Sequence, residues 1–363
     1  MVLYLNNLKL IVLDNIKELG EQVNEEIEKL TGKDSGFILN LERSRFNNGE
    51  GKIKIKDTVR DKEIYILSDV GNYDITYDMH GFTHHMGPDE HFQDIKRTIS
   101  ALSGYASKIV LVTPLLYQSR QHKRKGRESL DCAMALQELD RLGVKHIITF
   151  DAHDPSVCNS IPNLPFENIY PTHTILEDII NENDLSNMLV ISPDMGAMER
   201  ARYYAEMLDS DVGVFYKRRD LSTVIDGKNP IVEHAYMGAP VKGKTTIVVD
   251  DMIASGSSIL EVGEKLKKEG AKETIFVATF ALFTAGVEEF DKAYKKGYFK
   301  KLYTTNLTYI PQEIKDKKWL HVVNCSKSLA KIIVALHNGE SIKRLVNSKE
   351  DLLKLIEAKR SSK

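Results

Sequence analysis

Residues 245–259 read TTIVVDDMIASGSSI, an order that puts two kinds of chemistry side by side. The adjacent carboxylates of Asp250 and Asp251 suit the hydroxyls of a vicinal diol, as does the ribose-binding acid of dinucleotide folds. They would repel a phosphate, so anion binding must fall to the loop on their C-terminal side. Ser255, Gly256, Ser257 and Ser258 form a short loop whose backbone amides can turn inward. A helix start behind the loop adds the positive end of its dipole. A diol acceptor and a phosphate cradle this close together fit the two ends of ribose 5-phosphate. The bland alternative is an ordinary strand–loop–helix turn with solvated acids. Paired acids at a strand end, with a helix behind them, weigh against it.

Other charged residues stand where they could handle phosphates. Asp151 in TFDAHD and Asp194 in ISPD also come directly after apolar runs. Acids gathered at strand ends could hold Mg²⁺ together with phosphates, although any one of them could simply cap a helix. Residues 117–127, YQSRQHKRKGR, pack five cations and a histidine around Gly126. A polyphosphate such as ATP needs cations like these. A second basic cluster, YKRRD at 216–220, precedes a polar stretch, DLSTVIDGKNP, that reads as a mobile loop able to close over a transferring phosphoryl group. Residues 71–88 carry His80, His84 and His85 without metal-ligand spacing, and read as a surface insertion.

These groups need elements to position them. Apolar runs suited to buried parallel strands occur at 108–113, 146–150, 189–192, 246–249 and 274–278. Helical patterns lie at 130–142 and 259–268, the latter with Ile259, Val262 and Leu266 on one face. Ser258 and Glu261 have capping-box spacing, which sets that helix start at Ser258. Alternating strand and helix predicts α/β architecture with doubly wound sheets. Segment 136–150 and segment 260–277 echo each other, each running from a helix through Gly-Val/Ala-Lys to a strand. Two copies of one domain are therefore expected, meeting near residues 165–180, where NLPFENIYPT reads as a linker.

At 363 residues the chain is long enough for two domains. Its net charge of −2 and pI of about 6.6 give no drive toward nucleic acid or an anionic membrane. Cys132, Cys158 and Cys325 lack metal spacing and read as reduced thiols. Neither a leader nor a membrane-length apolar run is evident, so a cytoplasmic protein is expected.

The loop at 250–258 resembles the ribose-phosphate loop of the type I phosphoribosyltransferase fold. In order along the chain, SRFNNGE (44–50), PDEH (88–91), SRQHKRKGRE (119–128), FDAHD (150–154), SPDMGAMERAR (192–202), YKRRD (216–220) and VVDDMIASGSS (248–258) resemble the ribose-phosphate diphosphokinase family. The resemblance implies two tandem doubly wound parallel-sheet domains of that fold. They are placed at residues 1–170 (ATP side) and 171–325 (ribose 5-phosphate site), with a helical segment, 326–363, packing on the first. It implies that Phe46, Asn48, Glu50, Arg120 and Gln121 bind ATP, with Phe46 stacking on the base. Asp194, Asp250, Asp251 and Ser255–Ser258 would bind ribose 5-phosphate, His153 and Asp194 would ligate Mg²⁺, and Lys217 and Arg219 would be catalytic. The family's adenine site, shared between subunits, implies a homo-oligomer, a dimer or a hexamer. The sequence departs from the family at four places. Asn48 replaces an acid, His122 begins the His-Lys pair that replaces Asp-Arg, Met195 replaces a histidine and Ala254 replaces an aspartate.

Two rival functions share part of this pattern. A phosphoribosyltransferase that consumes phosphoribosyl diphosphate shares the ribose loop, but needs neither the 44–50 hairpin nor a second domain of the same fold. A non-catalytic regulatory homologue is compatible with the four departures. The retained Lys217, Arg219, His153, Asp194 and acid pair speak for catalysis.

Overall fold

All five strands expected from apolar runs are present in a computed structural model of the chain. The structure describes residues 7–32, 36–184, 187–219, 231–346 and 349–361. The described chain forms two units.

The first unit is built on a parallel sheet. In chain order its elements are β1 (Leu8–Val12), α1 (Lys17–Thr31), β2 (Leu41–Arg45), β3 (Gly51–Ile55), β4 (Glu63–Leu67), β5 (Thr76–Met79) and β6 (Phe82–His85). Then come α2 (Pro88–Leu102), β7 (Lys108–Val112), α3 (Asp131–Arg141), β8 (His146–Phe150) and β9 (Phe166–Ile169). Strands β1, β4, β7, β8 and β9 lie side by side in that order, all parallel. Their runs are nearly all buried, as strands covered on both faces must be. Strands β2 and β3 form a separate antiparallel ribbon, and β5 and β6 form another. The region 71–88, expected as a surface insertion, is thus an ordered hairpin. The 163–172 segment, expected as a linker, contains β9, which pairs Phe166–Ile169 with β8.

The second unit contains α4 (Thr172–Glu182), β10 (Met188–Ser192), α5 (Met198–Leu208), β11 (Val212–Arg219), β12 (Ile231–Met237), β13 (Thr245–Ile253) and α6 (Ser257–Lys268). It continues through β14 (Glu273–Ala281), α7 (Glu288–Lys295), β15 (Lys301–Thr305), α8 (Gln312–Lys315) and β16 (Leu320–Val323). The sheet order is β12-β11-β10-β13-β14-β15-β16, parallel except for β12. Chain order reverses between β10 and β13, which makes a topological switch point. One sheet face packs Val248, Ile259, Val262, Leu266, Phe276 and Phe290 together. The other packs Ile247, Val249, Ala201 and Tyr204. Period-two alternation along β13 explains the division.

The C-terminal segment does not stay with one unit. Helices α9 (Ser326–His337) and α10 (Lys343–Val346) cluster with the first unit, α9 against α1. Helix α11 (Lys349–Ser361) clusters with the second and buries Leu352 and Ile356 among the α4 and α5 side chains. No helix among the described residues is long and apolar enough to cross a membrane.

The internal echo has a backbone counterpart. Gly143 and Gly270 both adopt positive φ, 92° and 86°. After each, an amide reaches five residues back into the helix, Val144 to Leu139 and Ala271 to Leu266. The amide of the next residue, a lysine, donates in each case toward the neighbouring strand, Lys145 to the Ile109 carbonyl in β7 and Lys272 to the Lys244 carbonyl just before β13, both at 2.8 Å. One helix-to-strand turn is built twice, with glycine where the left-handed conformation requires it.

Candidate active site

The second unit gathers its candidate residues at the carboxyl ends of β10, β13 and β11, at the switch point. β13 runs through the acid pair to Ile253. Regular alternation assigns Asp250 to the side of Val248 and Asp251 to that of Val249, yet the two carboxyls interact. The Asp251 amide donates to Asp250 Oδ1 at 2.9 Å, and the side chains share a hydrogen bond. Asp251 is only 3% exposed. Burial first, and the Asp251 charge second, push the Asp250 carboxyl well above the usual range, against the pull of Arg200. A buried like-charged pair of this kind is relieved by anything that donates hydrogen bonds to it, as sugar hydroxyls do.

The loop after the pair is held from behind. Leu282 and Thr284 donate backbone hydrogen bonds to the carbonyls of Ile253 and Ala254 at 2.8 and 2.9 Å. Gly256 has φ +81°, and a Cβ there would lie 2.2 Å from Phe290 Cζ. Phe290 is fully buried and stacks on Trp319 at 5.5 Å. Gly256 is thus required by conformation and by space. Helix α6 starts at Ser257 with Gly256 as its N-cap. This corrects the expected start at Ser258, because a left-handed glycine opens the helix one residue earlier. Ser255 Oγ and Ser257 Oγ lie 3.3 Å apart. The Ser257 amide points to Ser255 Oγ at 3.5 Å, at the positive end of the α6 dipole. That combination suits an anion.

Asp194 lies two residues beyond β10, which pairs in register with β13. Its Oδ1 accepts from the Gly196 and Ala197 amides at 2.8 and 3.1 Å, shaping the turn into α5. Oδ2 has no hydrogen bond among the described residues. Lys217 and Arg219 lie in β11, paired antiparallel with His234 and Ile231 of β12. The basic cluster, expected just ahead of a mobile loop, has strand backbone through Arg219. Its side chains, and residues 220–230 of the expected loop, lie outside the described residues.

In the first unit, the loops after β7 and β8 meet. Asp154 Oδ2 pairs with Lys123 Nζ at 2.8 Å and with His122 Nε2 at 3.3 Å. The Lys123 ammonium, then Ser156, hold the Asp154 carboxyl far below its usual range. The His122 and His153 rings lie edge to face, with centroids 5.3 Å apart. Gln121 donates to the Ser129 carbonyl at 2.9 Å, and Arg120 is exposed. Asp151 is buried at φ +40°. Such strain is tolerated where surroundings fix it, often at functional loops.

The turn 46–50 joins β2 to β3. The Phe46 amide donates to the Glu50 carbonyl, and Asn48 Nδ2 donates to Glu50 Oε2 at 2.9 Å. Phe46 is 56% exposed, a flat apolar face open to a partner. Asn48 is engaged with Glu50 inside the turn.

Among the described residues no group of three or more His, Cys, Asp or Glu side chains could hold a metal ion. The expected ligands His153 and Asp194 belong to different units. His84 stacks on Tyr77 and His85 pairs with the Tyr73 carbonyl, which gives these histidines structural partners.

Sequence reasoning missed Asp69, although IYILSD repeats the pattern of an apolar run ending in an acid. It is fully buried after β4 and accepts from the Gly71 and Tyr309 amides and the Thr308 hydroxyl at 2.8–3.2 Å. Burial pushes its carboxyl up to about 6. Phe290 and Trp319 carry no local signal at all, and Arg200 lies in the SPDMGAMERAR segment without a role assigned to it.

Two family descriptions match the chain in tandem, the N-terminal domain of ribose phosphate pyrophosphokinase over residues 8–143 and the phosphoribosyl transferase domain over residues 171–314. A ribose-phosphate pyrophosphokinase of Bacillus cereus is 26% identical over 95% of this chain and 99% of its own length. That of a Nostoc species is 26% identical over 88% of this chain and 89% of its own. Among solved structures, phosphoribosylpyrophosphate synthetase from Mycobacterium smegmatis shares the fold. Its TM-score is 0.76 at 23% identity, covering 92% of this chain and all of that one.

Proposed function

The chain belongs to the ribose-phosphate pyrophosphokinase family, and we propose that it moves the diphosphoryl group of Mg-ATP onto the anomeric hydroxyl of ribose 5-phosphate. The products are phosphoribosyl diphosphate and AMP. The observation that carries this reading is the coupled Asp250–Asp251 pair beside the Gly256 loop, at the switch point of the second unit.

Asp250 and Asp251 accept the ribose hydroxyls, and the amides and hydroxyls of Ser255–Ser258 take the 5-phosphate. Asp194 reaches the sugar from the β10 side. In the first unit, Phe46 stacks on the adenine, while Asn48 and Glu50 present polar edges to it. Arg120 and Gln121 receive the nucleotide phosphates. The anomeric oxygen bonds to the β-phosphorus, the bridge to the α-phosphate breaks, AMP leaves with the bridging oxygen, and the hydroxyl proton is released. Such chemistry depends on in-line positioning and charge stabilisation. Lys217 and Arg219 neutralise charge developing on the bridging and β-phosphoryl oxygens.

Mg²⁺ commonly binds through one or two protein ligands together with substrate phosphates, rather than in an all-protein cage. In the proposed reaction the imidazole of His153 in the first unit and the carboxylate of Asp194 in the second would each serve as such a ligand alongside substrate phosphates. When bound, the ion screens the phosphate charge that would repel the attacking hydroxyl.

We also infer a cytoplasmic homo-oligomer, a dimer or a hexamer, acting on ATP and ribose 5-phosphate. The test is AMP release from purified chain given ATP, ribose 5-phosphate and Mg²⁺, with each omitted in turn. AMP only in the complete mixture supports the reading. Tight binding of both substrates without AMP would favour a regulatory homologue.

A further inference from the structure

The Phe46–Glu50 turn sits at the end of a two-stranded ribbon, β2–β3, outside the parallel sheet. An isolated ribbon is marginal in water, so its tip needs support from outside. Two groups supply it. The first is α2, whose Asp94 pairs with Arg45 Nη2 at 3.3 Å, Arg43 Nη1 at 3.6 Å and Arg97 Nη1 at 2.6 Å. The second is the β5–β6 hairpin. Gly49 has φ +90°, and a Cβ there would lie 2.5 Å from Met79 Sδ, so Met79 rests directly on the turn backbone. The Arg45 guanidinium lies 4.8 Å over the Tyr77 ring and donates from Nη1 to the Gly49 carbonyl at 3.1 Å.

Arg45 therefore joins the turn to both supports. Its Nε is buried without a hydrogen-bond partner, so its place depends on what surrounds it. Tyr77 can be removed without touching the ion pairs to Asp94. On its other face Tyr77 stacks on His84, with centroids 5.7 Å apart and ring planes 24° from parallel. The hairpin is itself a defined object. It closes through His80 and Gly81, both at positive φ, the geometry of a tight two-residue turn. A carboxylate–amide bond from Gly87 to Glu90 at 2.9 Å fixes its exit into α2.

We propose that the β5–β6 hairpin positions the nucleotide-base turn, with Tyr77 and Met79 as positioning residues that act through Arg45 and Gly49 on Phe46. The hairpin then sets affinity for the nucleotide and leaves the sugar phosphate untouched. This inference rests on the assignment of Phe46 to the base of ATP.

The test is ATP binding to the full-length chain by titration calorimetry, with ribose 5-phosphate binding measured in parallel. Tyr77→Ala should weaken ATP about tenfold, the scale of losing one base-stacking contact, with ribose 5-phosphate affinity within about twofold of the parent. Tyr77→Phe should restore ATP affinity, because the ring face and not the hydroxyl meets the guanidinium. Met79→Ala should give a smaller loss in the same direction. If the parent binds ATP and both alanine variants bind it equally well, this inference is overturned while the assigned function stands. Equal weakening of both ligands also overturns it, since that is the mark of general destabilisation. A parent that binds no ATP brings down both readings.

Discussion

Gly256 lies with its Cα directly against the ring of Phe290, where even one added carbon would come within 2.2 Å of Cζ. The ring cannot yield, because it is fully buried and stacked on Trp319, whose Nε1 donates to Asp291 Oδ1 at 2.7 Å. Gly256→Ala combines this clash with a left-handed backbone. It should cost about 2–4 kcal/mol of stability and shift the helix start proposed to take the 5-phosphate. Thermal unfolding should fall by several degrees, and ribose 5-phosphate binding by calorimetry should be lost first. An unchanged affinity would separate this loop from the sugar phosphate.

The acid pair predicts opposite effects on binding and stability. The Asp250 carboxyl is raised in the folded chain, so the native state holds its proton more tightly than the unfolded state does. Its contribution to stability is full below the unfolded value and is lost as pH rises through the folded one. Asp250→Asn removes that loss and should raise Tm at pH 8 by about 2–4 °C, on the order of 1 kcal/mol. The same change, like Asp251→Asn, should weaken ribose 5-phosphate and spare ATP. In the parent, ribose 5-phosphate affinity should fall as pH is lowered and the pair takes up its proton. Selective loss of ATP binding in either variant would show the pair to be misassigned.

Lys217→Ala should reduce kcat by about a hundredfold, roughly 3 kcal/mol, by analogy with removal of one oxyanion donor. Ribose 5-phosphate affinity should stay near that of the parent, because the loss falls on the transition state. Steady-state AMP release and direct binding together decide this. Near-normal turnover would remove Lys217 from the mechanism.

Phe46→Ala exposes little new surface, since the ring is already 56% exposed. Stability should change by less than about 0.5 kcal/mol, while KM for ATP rises about tenfold or more. The ratio of activity with ATP to that with a pyrimidine nucleotide should shrink in parallel. A selective fall in stability with no change in KM would make Phe46 a packing residue.

Asp69→Ala should leave two backbone amides and a hydroxyl buried without an acceptor, at a cost of about 2–4 kcal/mol. Asp69 is raised to about 6, so the parent's advantage over this variant is greatest below pH 4. It should shrink by about 3 kcal/mol in all as pH rises from about 3 to about 7, then level off. Denaturant titrations across that range measure it. An advantage that grows with pH would reverse the sign and refute the burial argument.

Much of the fold was legible in the sequence because it depends on short-range pattern. Strands covered on both faces show up as apolar runs, and those at 146–150 and 188–192 matched to within a residue. The repeated Gly-x-Lys turn exposed the duplication because glycine is selected there by backbone conformation. That the basic run at 216–219 continues β11 was not legible, because strand pairing with β12 outweighs the low β-propensity of its cations. Similarly, the Ser258–Glu261 spacing suggested a cap, but the glycine before it opened the helix first.

The sequence alone determined the buried parallel strands, their alternation with helices and the order of an acid pair ahead of a Ser/Gly loop, since each is written in neighbouring residues. Tertiary structure supplied the physical reason that Asp194 and Asp250, grouped in the sequence by resemblance alone, lie at one end of the sheet: strands 188–192 and 245–253 become neighbours where chain order reverses at the switch point. It also decided that Phe290 fixes Gly256 and that Tyr77 supports Arg45. Those contacts join residues about 30 positions apart along the chain, and no local periodicity records them.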